Sequence, residues 1–140
     1  MIGMTARLVG LLLILATAAL PVRAETVLLN DAQKKEAAAA LDQRIGCAAF
    51  YRVTFEILTT RTEPSPRTRD LVRDDYDAAG KDMLVQASAL AGALGETNEL
   101  MTVKFKTAVA ALRERIDGLS VAYNQLARRL HPACERLIQR

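Results

Sequence analysis

The stretch RRLHPACERL, Arg128 to Leu137, holds the chain's only histidine, His131, next to Pro132 and three residues before Cys134, one of only two cysteines. These residue types could ligate haem or a metal, carry thiol redox chemistry, or fasten a helix end. Covalent haem attachment needs Cys-x-x-Cys-His, whereas here the histidine precedes its nearest cysteine. A non-covalent haem would need a second axial ligand such as Met83 or Met101, and neither stands in an obvious partner position. A structural zinc site wants four nitrogen or sulfur ligands, and His131, Cys47 and Cys134 supply only three candidates. No cofactor and no metal are therefore expected. A reduced Cys134 would sit early in a short helix after Pro132, where the helix dipole favours a thiolate. Exported dithiol oxidoreductases, however, carry both cysteines in a Cys-x-x-Cys turn on an α/β scaffold, and Cys47 lies far upstream.

Other catalytic patterns are missing. The sequence contains no Gly-x-Ser-x-Gly, no His-Glu-x-x-His and no glycine-rich phosphate loop, and a single histidine is available as a base. The carboxylates Asp74, Asp75 and Asp77 stand among Arg69, Arg73 and Lys81, where Arg73 with Asp77 and Asp77 with Lys81 form four-apart helix pairs. That is a solvated charged face, so no catalytic residue is assigned and the chain is not expected to be an enzyme. Phe50, Tyr51 and Phe55 could line an apolar ligand pocket, but the alanine-rich run Ala37 to Ala40 makes them more useful as core filling. With no tryptophan and many alanines, the helices are expected to pack closely and leave no large preformed cavity.

The segments that position these residues begin after a leader. Residues 1–24 combine Arg7, an apolar run from Leu8 to Leu20 and the small-residue exit Val22-Arg23-Ala24, the layout of a secretory signal peptide cleaved after Ala24. The run falls short of the roughly 20 apolar residues of a membrane-spanning helix. The expected location is periplasmic or secreted, with no stable membrane insertion after cleavage. Loss of Arg7 and Arg23 takes the formal charge from +3 to +1. A near-neutral, mixed surface gives no reason to expect nucleic-acid binding. Residues 25–140 suffice for one domain with a modest core.

The mature chain reads as helical throughout. Asn30 with Gln33 forms a capping box opening a helix from Asp31 to about Thr60, with Leu41, Ile45, Ala48, Tyr51, Phe55 and Leu58 on one face. The run Arg61 to Pro66 breaks it, with Ser65 as N-cap and Pro66 at the first helical position of the next helix. Val72, Tyr76, Ala79, Met83, Ala87, Leu90 and Leu94 line that helix, which should stop at Gly95. From Phe105 through Val109, Leu112, Ile116, Leu119, Tyr123, Leu126, Leu130 and Ala133 to Leu137 the apolar steps alternate four and three, the heptad seam of coiled-coil-like packing. The residue before a proline is pushed out of helical geometry, so His131 should mark a boundary, facing water or packing on Tyr123 or Leu126, and Pro132 should start a last short turn.

Two cysteines in an exported chain, each beside an apolar face, pair most economically as one disulfide, Cys47 with Cys134. A disulfide tolerates Cα separations up to about 7 Å. At about 1.5 Å per residue, Cys47 lies roughly 20 Å above the floor of a helical hairpin, and a straight third helix would carry Cys134 to roughly 55 Å. A reversal at Asp117-Gly118 brings it back to roughly 8 Å, although the heptad phase runs on through Gly118. The expected fold is thus all-α, an antiparallel bundle of three to four helical segments stapled by one disulfide, with a bond between two chains left open. The function this implies is that of a non-catalytic envelope protein, structural or stress-related, acting on a protein partner or as a homodimer. The alternative is a small-molecule, haem or metal carrier.

Overall fold

A computed structural model describes residues 28–60, 66–117 and 120–138, side chains at 66–73 and 120 excepted. The leader 1–24, Ser65, Gly118 and Leu119 lie outside the described residues, as do the side chains of Val72 and Arg73. Four helices follow one another: α1 (Asp31–Thr60), α2 (Pro66–Leu94), α3 (Asn98–Ile116) and α4 (Ser120–Ile138). No strand occurs among the described residues.

Local chemistry sets the helix ends. The Asn30 amide donates to Gln33 Oε1 and the Gln33 amide to Asn30 Oδ1, both at 2.9 Å, which completes the capping box. α2 begins at Pro66. It closes in a Schellman motif: Glu96 N–H donates to Ala91 O at 2.9 Å and Gly95 N–H to Gly92 O at 3.1 Å, with Gly95 at φ +72°. Thr97 then caps α3, its hydroxyl accepting from the Leu100 amide at 3.2 Å. α3 ends at Asp117, whose φ of +40° turns the chain into the left-handed region. The chain therefore reverses between α3 and α4, after Asp117, and the heptad seam belongs to two helices. Its phase survives because both helices turn the seam toward the same neighbour, α1.

α1 is the central helix. Between Ile45 and Thr54 its buried residues fall on nearly every side, with Cys47, Ala48, Ala49, Phe50, Tyr51 and Val53 all inside. A one-sided stripe captures only part of this, since α2, α3 and α4 each cover a different side of α1. Leu41 and Ile45 pack on Ala87 and Ala91 of α2, and Ala49 and Val53 on Val109 and Ile116 of α3 and Leu126 of α4. Cys47, Phe50 and Tyr51 pack with Met83 of α2 and with Cys134 and Leu137 of α4. The pairings give an up-down-up-down order, α2 and α4 antiparallel to α1 and α3 parallel to it. Gln86 ties three helices together, accepting from Arg44 Nε at 3.2 Å and donating to Leu137 O at 3.4 Å.

Cys47 and Cys134 meet within the chain at disulfide distance, S–S 2.05 Å and Cα–Cα 5.5 Å. The distance that simple helix lengths leave unclosed is taken up by inclination. From Tyr123, whose hydroxyl meets Thr54, α4 advances roughly 16 Å to Cys134 while α1 covers roughly 10 Å back to Cys47. α4 therefore crosses α1 at a slant. The expected boundary at His131 does not occur, because α4 runs through Pro132 to Ile138. Proline removes one amide donor from the helix, but the residues beyond it, Cys134 and Leu137, are buried and hold the last turns in helical register.

Candidate functional site

Several concavities border α1, and Tyr76 lines two of them. The larger, about 580 Å³, is a groove over Ala48, Arg52 and Phe55 of α1, walled by Gly80, Lys81 and Leu84 of α2 and by Phe105, Lys106 and Val109 of α3. The expectation that closely packed helices leave no large cavity fails here. Gly80 brings α2 so close to α1 that a Cβ there would sit 3.4 Å from Tyr51 Cβ, and the small residues Gly80 and Ala48 leave the space between α2 and α3 unfilled. Two acidic side chains pair with some of the basic ones around the groove. Lys81 Nζ lies 2.6 Å from Asp77 Oδ2, the helix-local pair legible in the sequence. Glu56 accepts from Arg113 at 2.6 and 3.0 Å and from Arg52 at 2.9 Å, bonds that hold its carboxyl below the usual range.

The smaller pocket, about 300 Å³, lies where α4 meets α1 and α2 and is lined by Tyr51, Asp75, Tyr76, Ala79, His131, Glu135 and Ile138. The His131 side chain is 39% exposed, so it partly faces water as one of the two expectations had it. Its ring reaches across the bundle, 6.3 Å from Phe50 and 6.1 Å from Tyr76 between centroids. Tyr51 in turn lies 5.6 Å from Phe50 and 5.8 Å from Tyr76, so the four rings form a closed circuit. His131 Nε2 sits 3.1 Å from Glu135 Oε1, one helical turn on. A neutral imidazole with its proton on Nε2 carries its lone pair on Nδ1.

Two polar atoms here lack protein partners. The Tyr51 hydroxyl, on a residue only 1% exposed, and His131 Nδ1 are both buried without a hydrogen bond. Burial, with smaller contributions from Glu135 and Tyr76, pushes the Tyr51 phenol up to about 12. Burial also raises Tyr76, and Tyr123, Glu135 and Asp75 add to the shift in that order. Both phenols therefore stay protonated near neutrality. By contrast, Tyr123 has a partner, its hydroxyl donating to the buried Thr54 Oγ1 at 3.1 Å.

Of the residues singled out in the sequence, Cys47 and Cys134 come together in the core cluster that also holds Phe50 and Tyr51, and both are almost fully buried. Met83 packs among Cys47, Phe50 and Tyr51, while Met101 packs on the Leu41 and Ile45 cluster. No group of three or more histidine, cysteine or carboxylate side chains able to hold a metal occurs among the described residues. Asp75, Tyr76 and Glu135 escaped the sequence reading as site residues. The only available signal was the single histidine with a carboxylate four residues on. No protein family, curated protein or solved structure matches the chain.

Proposed function

We propose that this protein is an exported, non-catalytic helical bundle that holds a small polar ligand in the pocket between α1, α2 and α4. The observation that carries this is the Tyr51 hydroxyl, buried and without a hydrogen-bond partner on a residue that lines the pocket. A buried polar group without a hydrogen bond costs about 1–3 kcal/mol, and a chain that keeps one beside a pocket gains a reason for it if a ligand completes the bond. A phenol pushed to about 12 is suited to hydrogen bonding and poorly suited to act as a base near neutrality. Both cysteines are tied to each other, which removes the thiol nucleophiles. Export is supported by the leader-like N-terminus and by a disulfide that persists where the compartment is oxidising.

The test is thermal unfolding of wild type and Tyr51→Phe, alone and with small ammonium, carboxylate and neutral polar solutes. Expected are an equal or higher melting temperature for the ligand-free variant, and at least one solute class that stabilises wild type alone. A variant clearly less stable than wild type would mean that the hydroxyl has a structural partner. Identical solute responses in the two proteins would leave only bound water in the pocket, and either result ends this reading.

A protein partner is the second reading, favoured by the groove between α2 and α3. Its apolar floor is edged by Arg52, Lys81, Lys106 and Arg113 against Asp77 as the one acidic lining residue. That excess of positive charge suits an amphipathic helix with acidic flanks. Binding of a synthetic acidic amphipathic helix, weakened by Lys106→Glu and by added salt, would support it. Equal binding of a basic counterpart would end it.

A further inference from the structure

We infer that the ligand of the α1–α2–α4 pocket is a small protonated amine. The inference rests on the pocket being a ligand site, and it is drawn from the chemistry of the lining. Three kinds of group converge there, and each favours a cation bearing N–H donors.

The first is aromatic surface. Tyr51, Tyr76 and His131 line the pocket, and their rings, with Phe50 behind, contact one another in a closed circuit of centroid distances between 5.6 and 6.3 Å. Ring faces and edges so arranged attract a cation through their quadrupoles, most strongly where water is scarce. The second is charge. Asp75 and Glu135 are the carboxylates of the lining, and among the described residues no lysine or arginine lines it. The larger groove, edged by four basic side chains, has the opposite character. The third is hydrogen-bonding sense. In the neutral imidazole with its proton on Nε2, His131 Nδ1 presents a lone pair, and the Tyr51 hydroxyl is a second polar group without a partner that can accept a hydrogen bond. An ammonium group supplies two or three N–H donors to these atoms and to the carboxylates, whereas an anion would face the like charge of Asp75 and Glu135. A pocket of about 300 Å³ takes a compact alkylamine.

The experiment is an NMR titration of the disulfide-bonded mature chain at mildly alkaline pH, where butylamine is still protonated. The probes are n-butylammonium, its neutral counterpart 1-butanol, its anionic counterpart butyrate, and tetramethylammonium, which has charge but no N–H. Expected are amide shifts around Tyr51, Tyr76 and His131 with n-butylammonium and affinity roughly tenfold above that for 1-butanol. Butyrate should leave those amides unmoved. Glu135→Gln and Tyr51→Phe should each weaken n-butylammonium roughly tenfold while shifts elsewhere in the bundle stay in place. Butanol or butyrate binding there as tightly as n-butylammonium would overturn the amine and leave a ligand site of another class. Tetramethylammonium binding as tightly as n-butylammonium would overturn the role of the two acceptors. No response to any probe overturns the amine outright, and the solute comparison of wild type with Tyr51→Phe then decides separately whether the pocket binds anything.

Discussion

Glu56 receives guanidinium groups from two helices, Arg52 from its own and Arg113 from α3, and the Arg113 contact is bidentate. The hydrogen bonds to Arg113 are the largest cause of its lowered pKa. A carboxylate depressed in the folded state stabilises the fold above its unfolded pKa, about 4.3, and loses that contribution as pH falls through the folded value. Glu56→Gln should therefore cost roughly 1 kcal/mol at neutral pH, the upper end for exposed pairs. The deficit should shrink toward zero as both proteins are acidified below about pH 4. Urea midpoints at neutral and acidic pH check this, and a deficit independent of pH would assign Glu56 a packing role. Such residue-scale partnerships divide sharply in how legible they are. Asp77 with Lys81 follows from helix periodicity alone. Glu56 with Arg113, and the lack of any partner for Tyr51, depend on how three helices settle around α1, which no local spacing encodes.

At the scale of elements, the local code was largely sufficient. The Asn30–Gln33 box, the start at Pro66 and the Gly95 cap act within a few residues of themselves, and each stands where its chemistry placed it. Pro132 is where local preference yielded to tertiary packing, because Cys134 and Leu137 beyond it are drawn into the core and α4 continues through the proline. The helix then carries a missing donor in its last turns, while Pro132 itself is exposed. Pro132→Ala should raise stability by about 1–3 kcal/mol, combining the restored amide donor with better helix propensity and less the entropy that proline removes from the unfolded chain. Denaturant unfolding measures this directly. A loss of stability would show that α4 needs the proline's geometry to reach Cys47. The pocket stayed illegible at this scale because it is made by the slant of α4 over α1. That slant brings His131 beside Phe50 and Tyr76.

For the whole molecule, the four helices are not equally secured. α1 and α2 form a long hairpin in close contact, with Gly80 letting the backbones approach, whereas α4 is inserted by Leu126, Cys134 and Leu137 alone among its fully buried side chains. The disulfide joins this last helix to the central one across 87 residues. Closing a loop of that length lowers the entropy of the unfolded chain by an amount worth about 4–5 kcal/mol, comparable to the entire stability of a small domain. Reduction, or replacement of both cysteines by serine, should lower the free energy of unfolding by about 4 kcal/mol. It should also act unevenly: hydrogen exchange in α4 should accelerate before that in the α1–α2 hairpin, because Leu126 and Leu137 are the only other fully buried side chains described in α4. As His131 and Glu135 ride on α4, the pocket should loosen with it, and binding to the pocket should weaken in the reduced protein even where α1 and α2 stay protected. Uniform acceleration across all four helices would show instead that the bundle opens as one unit and that the staple guards the whole core equally.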